Sequence, residues 1–137
     1  MSVYLSNGVV LTVNAVDLSS LVSSVTINRS FDELETTSMG QSGHTFVKGL
    51  EASSISIEFF NDSASAKTLQ TLNSSSVWGS NVVVTVKQTS AATSAENPLY
   101  TMTCLVNNTT PINGAVGDLS TQSVTWNVSG TIAVATA

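Results

Sequence analysis

The sequence predicts a mostly β fold with one short α-helix, and three observations support this prediction. Apolar and polar residues alternate in several stretches, which is typical of strands with one buried face. Charged residues make up only 9% of the 137 residues, well below the roughly 25% usual in soluble domains. Serine, threonine and valine are abundant instead, and one segment replaces the alternation with helix signals. A chain of this length suits a single domain over 1–137.

The alternation predicts the strands in chain order. A weak pattern covers 9–13. The clearer apolar faces consist of Val25, Ile27 and Phe31, then Ile55, Ile57 and Phe59, then Val82, Val84 and Val86, then Tyr100, Met102, Cys104 and Val106. The longest alternation runs from Val124 to Val134, where every even position is apolar or glycine. Gly130 is expected to mark a turn or bulge, because glycine inside a strand pattern usually does so.

One segment after the Phe59–Phe60 strand predicts a helix. Positions 61–63 are Asn, Asp and Ser, all of which are good N-caps. Apolar residues then recur at three-residue spacing, at Ala66, Leu69 and Leu72. We expect a helix over about 62–73 that covers one sheet face, with help from Trp78.

A near-repeat links two distant segments. Asp17-Leu-Ser and Asp118-Leu-Ser are each followed by the pattern S-V-T-x-N-x-S, at 24–30 and 123–129. The two spacers differ by two residues, which is one full β-period and preserves the inward and outward faces. Two explanations stay open: coincidence in a biased composition, or two strands in equivalent environments of a sandwich or barrel.

The charge balance argues against nucleic-acid binding. Nine acids and four bases give a formal charge of −5. The bases do not cluster, whereas nucleic-acid binders need a concentrated basic footprint. The N-terminal apolar stretches are short and broken by polar residues, so neither a secretory signal nor a membrane span is predicted.

The sequence predicts no active site, metal or cofactor. His44 is the only histidine, and without a G-x-S-x-G elbow a solvated or interface histidine is expected. Asp32, Glu33 and Glu35 form an acidic cluster that lacks the spacing of a calcium loop, so a solvated or partner-facing patch is expected. Cys104 has no second cysteine to pair with and is expected to be a buried thiol.

The most distinctive feature is the connection over about 32–49, which looks too long for a hairpin. Neighbouring strands are mostly joined by two to five residues. This connection also carries Met39, Phe46 and Val47, which a free loop would expose to water. Either the loop covers its own domain, or it extends and buries these groups against a neighbouring subunit.

Four segments, in order, resemble a known family: VDLSSLVSSVTINRSFDELETTSMG, FVKGLEASSISIEFFND, ENPLY and PINGAVGDLSTQSVTWNVSG. Together they resemble the major tail (tail-tube) proteins of long, non-contractile-tailed bacteriophages, over roughly Asp17 to Ile132. The resemblance implies a β-sandwich or half-barrel with one short flanking helix. Six subunits would close a ring and complete a larger barrel, and stacked rings would form a hollow conduit for DNA. The family has no catalytic residue, so no enzyme activity is expected.

The resemblance also implies partners and contact residues. The long loop would reach a neighbouring subunit or the next ring, and its contact residues would be Asp32, Glu33, Glu35, Met39, His44, Phe46 and Val47. The partners would be further copies of the chain and the tape-measure and tail-end proteins, in a virion assembled in the host cytoplasm. DNA would pass without specific binding, and Glu58, which shares a polar face with Ser54 and Ser56, is the expected lumen-facing acid.

Other classes of protein stay open. A capsid decoration protein or a tail-terminator protein could use a similar β fold. An isolated β-sandwich binding module or adhesin is a further alternative, although the two Trp and two Tyr of the chain are widely scattered. An enzyme is the class that the sequence favours least.

Overall fold

The computed structural model describes residues 8–136 and confirms the mostly β prediction. A 3-10 turn spans Ser19–Leu21 and the helix α1 spans Thr68–Asn73. The strands are β1 (Val10–Val13), β2 (Val16–Asp17), β3 (Val22–Asn28), β4 (Phe31–Glu35), β5 (Phe46–Glu51), β6 (Ser54–Phe60), β7 (Asn81–Lys87), β8 (Leu99–Leu105), β9 (Thr121–Asn127) and β10 (Ala133–Ala135).

Two antiparallel sheets enclose one core. The larger sheet has the order β10-β8-β7-β1-β2 and the smaller one β3-β6-β9, while β4 and β5 pair with each other as a third, two-stranded sheet. The side chains predicted to face inward on β6, β7 and β9 are buried, as the alternation requires. The largest fully buried side chains are Trp126 and Phe59, whose ring centroids lie 6.5 Å apart.

Two predicted strand faces need correction. Phe31 does not continue the β3 face, because it begins β4 outside the core and is about half exposed. The long alternation near the C-terminus is split in two: β9 ends at Asn127, and the chain turns at Gly130, whose φ is +94°. The expected turn at Gly130 is therefore confirmed.

The helix is shorter than predicted. It ends at Asn73, as expected, but begins at Thr68 rather than near 62. Asp62 caps a local turn by accepting a hydrogen bond from the Ala64 amide, and Ala66 has a φ of +59°, which a helix cannot include. Leu72 is buried in the core, but Trp78 is about half exposed. Val77, not Trp78, supplies the buried side chain after the helix.

The near-repeat corresponds to two strands in the same register. Its copies form β3 and β9, which flank β6 on opposite sides. Val25 and Val124 both lie opposite Ile57 of β6. In the row on each side of Ile57, the two copies again place corresponding residues opposite the same residue of β6. The prediction of equivalent positions is therefore correct for pairing. It is not correct for burial, because the apolar side chains of β9 are buried and those of β3 are only partly buried.

Cys104 lies in the core, as expected. Its side chain is fully buried on β8, and this burial raises the pKa of the thiol to about 11. The thiolate is the reactive form of cysteine, so a thiol in this environment is inert.

Over the described residues, no helix is both long enough and apolar enough to cross a membrane.

Candidate assembly surfaces

Residues 31–51 form an extended hairpin, here called the arm, rather than a structureless loop. The arm consists of β4, the tip 36–45 and β5. Since β3 pairs with β6 and β4 with β5, the arm is the outer half of one long hairpin whose inner half belongs to the smaller sheet. The two halves meet where the Ala52 amide donates to the Ser30 carbonyl at 2.7 Å. The expectation that this connection is too long for a hairpin is wrong, because its length lies in the paired strands.

The arm exposes apolar side chains on both of its faces. Leu34 and Val47 pair across the strands on one face, and Phe46 lies on the other face. All three are about half exposed, and Leu50 and Met39 are more exposed still. Every residue of β4 is exposed, so no other described part of the chain covers it. An isolated two-stranded hairpin is marginally stable in water, and this arm therefore presents a surface suited to contact with another molecule.

Hydrogen bonds order the tip of the arm. The Thr36 amide donates to the Thr45 carbonyl at 2.8 Å, and the two threonine hydroxyls lie 3.0 Å apart. Thr37 Oγ1 donates to Glu35 Oε2 at 2.8 Å, and His44 Nδ1 lies 2.6 Å from the same oxygen. The hydrogen bonds from Thr37 and His44 lower the pKa of Glu35. Within the described residues, His44 has a carboxylate partner rather than a serine hydroxyl, which suits a structural role at the tip.

The acidic cluster is divided between the two faces of the arm. In the strand register, Glu33 lies opposite Lys48 and Glu35 lies opposite Phe46, all on one face. Asp32 lies on the other face, beside Gly49. A Cβ at Gly49 would lie 2.8 Å from the Asp32 Cβ, so a larger residue does not fit there. Among residues 8–136, no group of three or more His, Cys, Asp or Glu side chains could hold a metal ion. The cluster is a charged surface of the arm.

Glu51 anchors the base of the arm to the segment just before β10. Its Oε2 accepts hydrogen bonds from the Ile132 amide at 2.9 Å and from Ser53 Oγ at 2.8 Å. The hydrogen bond from the Ile132 amide is the main reason that the pKa of Glu51 is lowered from its ordinary value of 4.5. This contact was not predicted from the sequence, because its two partners are far apart in the chain.

We expect this anchor to be lost in acid. A carboxyl whose pKa is lowered by folding stabilises the folded state above its unfolded pKa, and this contribution disappears as the pH falls through the folded pKa. The Ile132 amide should therefore lose protection against hydrogen exchange, relative to neighbouring amides, as the pH falls below the ordinary glutamate pKa of 4.5. In a Glu51→Ala variant the Ile132 amide should lack this protection at every pH, while Glu33→Ala should behave like the unchanged protein. Equal protection in Glu51→Ala and the unchanged protein would contradict the anchor.

The outer face of the smaller sheet is a regular array of small polar side chains. Three rows cross it, each with one residue from β3, β6 and β9: Ser24, Glu58 and Ser123; Thr26, Ser56 and Thr125; Asn28, Ser54 and Asn127. Ser56 Oγ and Thr125 Oγ1 lie 3.0 Å apart. The face predicted from β6 alone, with Glu58 on it, thus extends over all three strands. Glu58 is the single charged group in these rows.

A second exposed apolar segment was missed by the sequence analysis. The loop 107–120 exposes three large side chains, those of Ile112, Val116 and Leu119. The buried side chain of Gln122 holds this loop: its Oε1 accepts from Thr110 N at 2.9 Å, and its Nε2 donates to Asn61 Oδ1 at 2.8 Å. The sequence signal that could have predicted this exposed segment is the presence of apolar residues within a glycine-containing loop.

No family model matches the chain, and no curated protein matches it.

Proposed function

We propose that the chain is a virion structural protein, a tail-tube subunit that self-assembles into stacked rings. The observation that carries the proposal is the arm, whose apolar side chains are exposed on both faces over its whole length. A hairpin of this composition gains stability when a partner removes its apolar surface from water. The partner that we propose is another copy of the same chain.

The geometry of the arm favours rings or tubes over simple pairs. The arm extends from one end of the smaller sheet, so a contact between arm and body joins two different surfaces. Contacts of this head-to-tail kind generate closed rings or open filaments. The resemblance of the sequence to tail-tube proteins supports six subunits in each ring, with tape-measure and tail-end proteins as further partners in the tail.

We further infer that the two sheets form a sandwich, or half-barrel, that completes a larger barrel in the ring. The outer face of the smaller sheet is the surface best suited to line the bore. It carries hydroxyl and amide groups and no lysine or arginine, and its charged group is the acid Glu58. DNA phosphates bind chiefly to clustered cations, so a bore with this lining would let DNA pass without holding it.

A capsid decoration protein, a tail-terminator protein or an isolated binding module would fit a mostly β fold equally well. These classes differ from a tube subunit in how many copies associate. A terminator forms one ring, a decoration protein occupies separate capsid sites, and a binding module has no need to self-associate.

Sedimentation velocity over a wide range of protein concentrations tests the proposal. We expect the 14.2 kDa monomer to give way to a discrete ring of about six copies and then to much larger particles. Growth that stops at one ring would favour a terminator. Monomers or dimers at all concentrations would contradict self-assembly into tubes.

A further inference from the structure

A groove of about 610 Å³ opens between β3 and the larger sheet. Its apolar lining comes from β3, from the residue before β1 and from the neighbouring ends of β7 and β8: Val9, Val22, Val25, Ile27, Val86 and Tyr100. Its polar lining consists of Ser19, Ser23, Ser24 and Gln88 with the two bases Arg29 and Lys87, and no carboxylate belongs to the lining among the described residues. The groove therefore combines an apolar strip along β3 with polar groups and positive charge.

The comparison of β3 with β9 indicates that this edge is incomplete. The outer edge of β9 is covered by the chain itself: the Ser129 amide donates to the Thr103 carbonyl at 2.7 Å just beyond the strand, and Asn108 Nδ2 donates to the Thr125 carbonyl at 3.1 Å. β3 is the edge strand on the other side of β6, and the described residues offer no strand to its outer edge. One copy of the repeated pattern is thus covered, and the other is open.

The apolar side chains of the two strands show the same difference. Val25 and Ile27 of β3 occupy the register positions of Val124 and Trp126 of β9. The residues of β9 are fully buried, whereas those of β3 are only partly buried and face the groove. A further strand beside β3 would complete the burial and would satisfy the open backbone groups of the edge.

The charge of the groove is complementary to that of the arm. Arg29 and Lys87 are two of the four basic residues of the chain. Neither forms an ion pair within 4.0 Å with a described residue, although Arg29 contributes weakly, at longer range, to the lowered pKa of Glu51. The arm carries four carboxylates against one lysine and has open strand edges on both sides.

We propose that the groove beside β3 receives the arm of a second copy of the chain. One edge of the arm pairs with β3, its apolar side chains cover Val25 and Ile27, and its carboxylates approach Arg29 and Lys87. The addition of a strand to an open edge is a common mode of protein recognition. This inference rests on the proposed self-assembly and adds to it the acceptor surface.

The arm of the same copy does not reach this groove. It continues β3 and β6 outward, beyond the end of the smaller sheet, and it is fixed at its base by the Ser30–Ala52 and Glu51–Ile132 hydrogen bonds. The five residues of β4 span about 17 Å, which is long enough to pair with most of β3 in another copy. Each subunit is then both a donor and an acceptor.

Paired charge reversal tests the proposal. In the acceptor variant, Arg29→Glu and Lys87→Glu make the groove acidic; in the donor variant, Glu33→Arg and Glu35→Arg make the arm basic. We expect each variant alone to need at least a tenfold higher concentration to assemble, and an equimolar mixture to assemble like the unchanged protein. Alternating subunits satisfy every contact in the mixture. Lys67 lies outside the groove and provides a matched control. The Lys67→Glu protein should assemble normally, whereas the Lys87→Glu protein should not.

The outcomes separate this inference from the proposed function. If the acceptor variant assembles normally while removal of the arm abolishes assembly, the groove is not the acceptor and the tail-tube proposal stands. Loss of assembly without rescue in the mixture would mean that another segment fills the groove, which also overturns the inference. If the unchanged protein does not assemble at all, the proposed function fails.

Cross-linking gives a second readout that needs only one arm–groove contact between two copies and no complete ring. Leu34→Cys and Val25→Cys variants, mixed and treated with a short bismaleimide, should yield a covalent dimer, because the arm of one copy lies against the groove of the other. Cys104 is buried and gives no background reaction. A mixture of Leu34→Cys with Lys67→Cys should stay monomeric. Absence of the dimer in the first mixture would overturn the inference.

Discussion

Replacement of residues 31–51 by an Asn-Gly turn is expected to leave a folded monomer that no longer assembles. The Ser30–Ala52 hydrogen bond closes the inner half of the hairpin, and Asn-Gly favours the two-residue turn that such a pair requires. No residue of the arm is buried, so the core is left intact. The loss of Glu51 removes its hydrogen bonds to Ile132 and Ser53, so we expect the free energy of unfolding to fall, while assembly in sedimentation experiments is abolished.

A milder variant separates the shape of the arm from its apolar surface. Leu34→Ser with Val47→Ser keeps the strand pairing but removes one apolar pair. We expect this variant to fold and to assemble only at higher concentration. If the protein without its arm still assembles like the unchanged chain, the arm is not an assembly contact.

The replacement of Trp126 by alanine is expected to have the largest effect on stability. Trp126 is fully buried, packs against Phe59, and donates from Nε1 to the Asn108 carbonyl at 3.3 Å. Removal of a buried aromatic side chain costs about 3–5 kcal/mol, which is comparable to the total stability of many domains, about 5–15 kcal/mol. Chemical denaturation followed by circular dichroism should show a protein that is unfolded or close to it.

The second tryptophan provides a matched control for this substitution. Trp78 is 48% exposed, against 0% for Trp126, so Trp78→Ala should lower the free energy of unfolding by only about 1 kcal/mol or less. The single tryptophan left in each variant also reports unfolding by fluorescence. Equal stability of the two variants would show that the inward face of β9 is wrongly assigned.

The strands β6, β7, β8 and β9 could be predicted because each has one buried face. The short strand β2 has no buried residue and was not predicted. Burial imposes the period of two on residues such as Val82, Val84 and Val86, and the pattern is then visible in the sequence. The arm has no buried face, so nothing imposes alternation on β4 or β5, and both were missed. The start of the helix was missed for a different reason: the good N-cap Asp62 caps a local turn instead, and caps and turns use the same residue types.

The candidate surfaces could be predicted only in part. The acidic and apolar residues of the arm were identified from their composition, because exposed apolar groups in a long connection require an explanation. The contacts of Glu51 with Ile132 and of Gln122 with Asn61 were not, since each joins residues separated by more than 60 positions. The near-repeat left open whether β3 and β9 are equivalent strands. The two strands share a register on β6 but differ in burial, because the chain around Asn108 and Ser129 covers β9 and no described segment covers β3 in the same way.

Negative-stain electron microscopy of the concentrated, purified protein shows whether the chain forms tubes. We expect hollow tubes or rings with six-fold symmetry, and their absence from the protein without its arm. A uniform field of monomers at high concentration, or compact particles without a bore, would contradict the claim that this chain is the subunit of a tube.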